Sequence, residues 1–493
     1  MIAKVVDFSI KQKLLIIVMS IMLSGWGIVS FFNIPIEAFP DVTDTIVQII
    51  TKYPGKASEE VETQITLPIE IELNGLPHAT QVRSQSLSGL SVINVLFDDN
   101  INIYLARQLI LERLSNINFP EGTEVKLGPL STPIGEVYRY TVESDTYSPM
   151  ELRTIQDWVM KRELKRVPGV ADIPILGGLV KQYQILVDPL KLKSLGISLQ
   201  DVFDALASSN KNTGGGYLTI NNEQFSVRGI GLLSSIEDIK NTVIKAVNGT
   251  PIKIENIATV QVGPQVRQGI AGRDNNNDVV EGIVLMRRGE NPSKVLQAVK
   301  EKLNELRKKL PEGIRIVRTY DREELINRTL DNVKSTLLLG AFFVFLVLVL
   351  FTGQLALASI ITLIVPLSLL FAFILMLLSG VNANILSLGA IDFGIIIDGA
   401  VVMAEAIFVA LALTPDPKDM SSLITKAGAQ VGKPILFAKS IIILAFIPLF
   451  ALQRVEGRLF KPLALTMSFA VLGALLFTLT LVPVLCSTFF KKV

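Results

Sequence analysis

The feature that most limits what this chain can fold into is a set of six apolar runs and their unequal spacing. Each is about as long as the roughly 20 residues that a helix needs to cross the hydrocarbon of a bilayer. They cover 10–33, 334–352, 357–379, 385–411, 433–451 and 463–487. About 300 residues separate the first from the second, whereas the other gaps are short. The pattern predicts one membrane helix, one large extramembrane insert and a compact block of five helices. Composition agrees, because 49% of the 493 residues are hydrophobic and 19% are charged, more apolar material than one soluble core of this size buries. The first run is introduced by Lys4, Lys11 and Lys13 and is followed by no small-residue cleavage motif, so it reads as a retained span.

Basic residues near the span ends set the expected orientation. Lys4, Lys11 and Lys13, then Lys418, Lys426 and Lys433, then Lys491 and Lys492 all fall on one side of a six-span arrangement, while Arg454, Arg458 and Lys461 run against it. The balance places both termini in the cytoplasm and the insert outside. The stretch 412–432, with Asp416, Lys418, Asp419 and Lys426, reads as a cytoplasmic connector helix at the interface.

The insert carries regular element patterns. Thr45 to Tyr53 alternates as a strand, Ala57 to Leu73 has helical spacing, a hairpin is expected across Ser88-Gly89, and a helix at Ile103 to Leu114 precedes a strand at Val125. A second β-α-β-β-α-β order begins at Val137, runs through a Ser148-capped helix, and is expected to resume at Val266–Gly272, Val279–Arg287 and a Pro292-initiated helix. The predicted fold class is an α+β membrane protein: six transmembrane helices and a large α/β insert of two split βαβ, ferredoxin-like units. These occupy 40–132 and 133–184 with 266–330, the second interrupted by a subdomain at 185–265.

Several chemistries are excluded. A lone cysteine, Cys486, allows no intrachain disulfide or thiolate cluster, and a lone histidine, His78, leaves any metal to oxygen or thioether ligands. A formal charge of +2 with interleaved acids and bases gives no nucleic-acid footprint. Thr213-Gly214-Gly215-Gly216 lacks the lysine and hydroxyl of a phosphate loop, so neither an ATP site nor a cofactor is expected.

The span at 385–411 holds Asp392, Asp398 and Glu405. A charged side chain at mid-bilayer costs roughly 3 kcal/mol on insertion scales, so three acids in one apolar span need an aqueous path or protein neighbours. Asp398 and Glu405 fall nearly one above the other, and Asp392 lies about 120° around the axis. No lysine, arginine or histidine inside the other spans is expected to neutralise them. Asp392 and Asp398 therefore read as a proton relay, with Asp398 the carrier. Glu405 reads equally as a relay member or as an acid at the headgroup level.

The segment Asp392-Phe-Gly-Ile-Ile-Ile-Asp398-Gly-Ala-Val-Val-Met-Ala-Glu405 resembles the fourth span of the resistance-nodulation-division (RND) superfamily, in its heavy-metal efflux branch of the cobalt-zinc-cadmium type. Asn33-Ile-Pro-Ile-Glu-Ala-Phe-Pro-Asp41, Tyr53-Pro-Gly-Lys-Ala-Ser-Glu-Glu-Val61, Asn212-Thr-Gly-Gly-Gly-Tyr217 and Gly457-Arg-Leu-Phe-Lys-Pro462 carry the same resemblance, which covers the whole chain. It implies a proton/cation antiporter of the bacterial inner membrane, not an enzyme. It also implies a homotrimer with periplasmic porter and docking subdomains, working with a periplasmic adaptor and an outer-membrane channel. Gly214, Gly215 and Gly216 would belong to the docking loop. The family has asparagine where this chain has Ala406, and about twice this length, so a C-terminal half is expected from a second chain or a missing segment.

The resemblance implies divalent zinc, cobalt, cadmium or nickel as cargo, and sparse methionines speak against a monovalent soft ion. By resemblance, Glu136 and Asp172 are acidic ligands for such an ion, and by position they read equally as solvated acids beside turns. Met403 reads as packing or as a soft waypoint, and His78 as a surface or hinge residue. Two other functions stay open: an RND multidrug or lipid-like exporter half, and a non-transporting membrane scaffold.

Overall fold

The computed structural model describes residues 2–37, 40–99, 101–247, 249–267, 269–389, 391–414 and 419–490. Asp416, Lys418, Lys491 and Lys492, which entered the orientation and connector readings, lie outside the described residues, as do Ala38, Phe39 and Ala390 of the quoted motifs.

Strand Thr45–Lys52 buries alternate residues, among them Val47 and Ile49, because a strand presents successive side chains to opposite faces. It is central in a four-stranded antiparallel sheet whose order is Ala79–Leu87, Leu90–Phe97, Thr45–Lys52, Glu124–Leu127. The helical segment 58–73 and the helix Ile103–Leu114 contribute Ile65, Ile69, Ala106 and Ile110 to one core with Ile49, Ile93 and Val95. Gly89, at φ 71°, turns the hairpin at the place read from Ser88-Gly89.

The second unit has strands Ile314–Asp321, Glu136–Ser144, Val280–Met286 and Val170–Asp172 side by side in that order. Numbered along the chain, this is the neighbour order of the first sheet. Helix Pro292–Lys309 and the helical segment 149–164 cover it through Val295, Val299, Leu303, Met160 and Leu164. The expected strand at Val266–Gly272 is not among the described elements. Instead Ala258–Pro264 pairs with Lys181–Val187, and the chain then runs irregularly to Val280 apart from a bridge between Arg273 and Asn276. The cause is local chemistry: Gly269, Gly272, Asp274 at φ 52° and the Asn276 side chain, which accepts from the Asp278 amide, favour turns over a ladder. The two paired strands carry an inserted unit with its own core of Ile197, Val202, Ile239, Ile252, Ile254 and Ile257.

Among the described residues, six helices are long and apolar enough to cross a membrane: Lys13–Asn33, Arg322–Thr352, Leu355–Ser379, Leu386–Ala412, Met420–Ala451 and Arg454–Phe489. The third and sixth form the centre of the bundle, where Ile361, Ala372, Met376, Ala474 and Phe477 are buried. Two details differ from the sequence reading. The connector and fifth span form one continuous helix, Met420–Ala445, capped by Asp419, whose carboxylate accepts from the Ser421 and Ser422 amides. Gly432 is tolerated inside it because a Cβ there would meet Ile2 at 2.7 Å. The fourth span is broken into Ile385–Gly389 and Phe393–Ala412.

Candidate functional site

The break in the fourth span explains Asp392. It stands at the N-cap of Phe393–Ala412, where its carboxylate accepts from the Gly394 amide at 2.8 Å and satisfies one of the orphan donors of a helix start. Asp398 and Glu405 lie further along on one exposed stripe with Gly394, Val402 and Val409, spaced by three and four residues. The opposite face is packed: Ile396, Ala400, Met403, Ala404 and Ile407 are all buried. Met403 therefore belongs to the bundle core, its sulfur close to Gly428 and its methyl close to Gly432.

The expectation that no cation faces these acids is wrong. Lys439 of the fifth helix is 1% exposed, and its Nζ stands 4.0 Å from Oδ2 of Asp398, which is itself 62% exposed. The ammonium also donates to the Ile395 carbonyl, one turn before Asp398. Gly399 makes this approach possible, since a Cβ there would meet Cε of Lys439 at 3.2 Å and Ile435 at 3.1 Å. Lys439 is the sole lysine, arginine or histidine within 14–32, 335–352, 357–379, 434–451 and 463–487. The signal was present: one ammonium in Pro434-Ile-Leu-Phe-Ala-Lys439-Ser-Ile-Ile-Ile carries the same insertion cost that singled out the aspartates.

The candidate metal acids sit on the outer face of the second sheet. Glu136 and Asp172 both stand in register with Leu285, one on each side of it, which sets their backbones about 10 Å apart across three strands. Each is engaged by cations. Arg139 donates through Nε to Glu136 at 2.9 Å, and Lys165 and Lys161 approach Asp172 at 3.0 and 3.8 Å. The Glu136 hydrogen bond raises the Arg139 guanidinium above its usual range. Burial alone would push the Asp172 carboxyl up, but the Ile173 amide and the two lysines outweigh it and hold the carboxyl below the ordinary value. Glu136 and Arg139 line a cavity of about 420 Å³ with Glu281, Tyr320 and Arg322. No cluster of three or more histidine, cysteine or acidic residues able to hold a metal occurs among the described residues.

Gly214, Gly215 and Gly216 lie in an antiparallel ribbon, Thr213–Ile220 with Glu223–Gly229, exposed along its whole length. Asn221 and Asn222, at φ 51° and 68°, form its two-residue turn, and Gly216 takes φ 77° at the register shift. Tyr217, Leu218, Ile220 and Phe225 leave it with apolar side chains in the open. The bases that ran against the expected orientation lie together. Arg454, Arg458 and Lys461 line a cavity of about 1410 Å³ between the helices and the globular units, and Arg458 bonds the Thr43 carbonyl and Asp99. His78 pairs with Asp98 at 2.9 Å on the first unit's surface.

The AcrB/AcrD/AcrF family profile matches residues 5–493. The chain belongs to that family. It is 39% identical over 507 residues to the cobalt-zinc-cadmium resistance protein CzcA of Cupriavidus metallidurans, covering 99% of the chain and 48% of that protein. It is likewise 39% identical over 500 residues to the cation efflux system protein CusA of Escherichia coli (strain K12), covering 98% and 48%. A crystal structure of a heavy metal efflux pump superposes with a TM-score of 0.90 at 39% identity, covering 98% of this chain and 48% of that one. This member of the AcrB/AcrD/AcrF family thus has the RND efflux-pump fold, and it spans about half the length of the curated relatives it matches.

Proposed function

We propose that this chain is the N-terminal half of a proton-driven antiporter that exports divalent heavy-metal cations. The observation that carries the reading is Asp398: an acid on the open stripe of a membrane-length helix, backed by a buried lysine, in a chain whose relatives are cation efflux pumps. In lipid, an exposed stripe bearing Asp398 and Glu405 is costly, so a second six-helix half is the natural cover for it. Asp398 carries the proton, with Asp392 at the helix start and Glu405 two turns on as its relay partners.

The two globular units serve as ferredoxin-like porter subdomains in the periplasm, the inserted unit as a docking subdomain, and the helices lie in the bacterial inner membrane with both termini cytoplasmic. The exposed apolar ribbon around Gly214, Gly215 and Gly216 suits contact with a neighbouring copy in a homotrimer, and an adaptor and outer-membrane channel complete the path. Glu136 and Asp172 offer carboxylate oxygens to the metal, and the second half supplies the remaining ligands. CzcA and CusA match equally at 39%, so overall similarity does not rank the ions, and the oxygen donors favour a divalent one. A multidrug exporter half is not favoured, because these relatives are named for cations.

The test is zinc or cobalt uptake into inverted liposomes holding both halves. A pH gradient drives it in the parent assembly, and Asp398→Asn abolishes it. Unchanged flux in that variant overturns the reading, and a scaffold would show no gradient-driven flux in either.

A further inference from the structure

Resting on that proton-driven reading, we propose that Glu37 is the acid at which protons enter the relay, a loading group at the outer end of the first span that feeds Asp392 and then Asp398. The fold puts it at the mouth of the fourth span. Strand Ile36–Glu37 follows the first span and pairs in parallel with Ala383–Asn384, with Glu37 in register with Asn384 and the Pro35 carbonyl accepting from the Ala383 amide at 3.0 Å. Ala383–Asn384 leads directly into Ile385–Gly389, the first piece of the broken fourth span. Asp392 caps the second piece, and Asp398 lies six residues, about 9 Å of helix, further on.

Glu37 has water on one side and polar protein on the other. It lines the large cavity with Asp41, Asp44, Arg322, Asn382 and Asn384, so bulk protons reach it without crossing lipid. Its carboxylate is half-buried and accepts from the Asn382 side chain at 3.0 Å. Behind it, Asn384 and Ser387 are buried and bonded to each other: the Ser387 amide donates to the Asn384 side chain at 2.8 Å, and the Ser387 hydroxyl to the Asn384 carbonyl at 3.0 Å. These polar groups continue from the cavity wall toward the break in the fourth span. Irregular backbone at such a depth is tolerated where protein encloses it or water reaches it.

Burial raises the Glu37 carboxyl above its ordinary value, against the pull of Arg322 and the Asn382 bond, and Asp41 adds to the rise. A raised carboxyl takes its proton nearer neutral pH, which suits a group that binds and releases one in each cycle. The neighbouring charges come from every element around it. Arg322 begins the second span, is 5% exposed and donates to the Ile134 carbonyl. The sixth helix brings Arg454, Arg458 and Lys461 to the same cavity, with Arg458 engaged by Asp99. The globular units bring Asp98, Arg287 and Arg288, and Arg288 donates to the Thr43 carbonyl at 3.1 Å. Helix Pro292–Lys309 approaches the strand with Lys300 held by Asp321 at 2.6 Å and by Glu323, and Lys302 held by Glu163 at 2.8 Å. The strand before the fourth span brings only neutral amides, Asn382 and Asn384.

The test uses the complete two-half assembly in inverted liposomes, with gradient-driven zinc flux read against the pH of the lumen, which is the periplasmic side. Glu37→Gln should keep the maximal flux at acid lumen pH and move the half-maximal point about one unit more acidic, because an about tenfold higher proton concentration replaces the missing acid. Glu37→Asp keeps an acid and should hold the parent's half-maximal point. A flux lowered by one factor at every pH overturns the inference, since that is what lost packing gives, and so does an unmoved half-maximal point, which means that protons enter elsewhere. Infrared difference spectra of the same assemblies between about pH 8 and pH 5 read the group itself. Parent and Asp398→Asn should gain a protonated-carboxyl component that Glu37→Gln lacks, and a component intact in Glu37→Gln overturns the assignment. Parent-like flux in Asp398→Asn would instead sink the proton-driven reading, so the two failures are distinct.

Discussion

Asp398 meets Lys439 inside a helical bundle with the cation enclosed, whereas Glu136 and Asp172 meet Arg139, Lys161 and Lys165 on the half-open face of a sheet. The chemistry is the same, a carboxylate beside a base, and the surroundings separate the roles. A lysine that is 1% exposed cannot leave its acid unless a helix moves or another group takes the charge. Arginine and lysine side chains that reach water exchange partners at little cost, since such pairs contribute roughly 0–1 kcal/mol. The enclosed pair is locked by its surroundings, and the open pairs are free to exchange partners.

The strongest way to break this contrast is to fill the slot. Gly399→Leu places a branched side chain where even a Cβ meets Ile435 at 3.1 Å and Cε of Lys439 at 3.2 Å. Overpacking of this kind costs about 1–3 kcal/mol, and here it also displaces the ammonium. We expect thermal unfolding of the full chain in detergent to fall by several degrees and gradient-driven flux to fall by about a hundredfold. Gly399→Ala should be intermediate. A Leu variant with parent-like flux would mean that the Lys439 approach is incidental.

Next in size is the periplasmic side. Under the proposed metal role, Glu136→Gln and Asp172→Asn should each weaken zinc binding to the complete assembly by about tenfold, since each would remove one charged oxygen donor. Neither should change thermal stability by more than about 1 kcal/mol, because the pairs they break are partly solvated. Calorimetry on the same samples reads both. Unaltered zinc affinity in the two variants would leave Glu136 and Asp172 as surface acids.

Legibility in the sequence followed the range of the interaction. The six helices long and apolar enough to cross a membrane were readable because lipid forces every backbone group to be satisfied within a helix, which leaves a long local signature. The hairpin at Ser88-Gly89 and the strand at Thr45 were readable from alternation and turn chemistry. Lys439 was missed because one ammonium hardly dents the hydropathy of its run, and its meaning depends on a partner 41 residues earlier in the chain, as its pairing with Asp398 shows. The shared register of Glu136 and Asp172 with Leu285 was beyond local reading, since the inserted unit separates Asp172 from the strand that aligns them. The strand expected at Val266–Gly272 failed for the opposite reason: apolar Val266 and Ile270 sit among glycine and asparagine that prefer turns.

The smallest effect expected is also the cleanest check on the open pairs. Asp172 has its carboxyl held below the ordinary value, since the Ile173 amide, Lys165 and Lys161 together outweigh burial. A lowered folded value means that the unfolded chain binds the proton first as pH falls, so the stabilisation is complete above the ordinary carboxylate range and is lost as pH drops through the folded value. Stability should therefore be insensitive to Asp172 from neutral pH down to about 5 and decline only below about 4. Lys165→Met removes the nearer of the two cations and should move that decline toward higher pH, at a cost below about 1 kcal/mol at neutral pH. Hydrogen exchange across Val170–Asp172 in the full chain, followed from pH 3 to 7, reads this locally. A decline unmoved by Lys165→Met would show that the lysine contributes nothing to the held charge, and Asp172 would then rest on the Ile173 amide and Lys161. An acid held by an amide is harder to hand to a metal than one held by a swinging lysine, so the outcome bears directly on whether this face can take a cation.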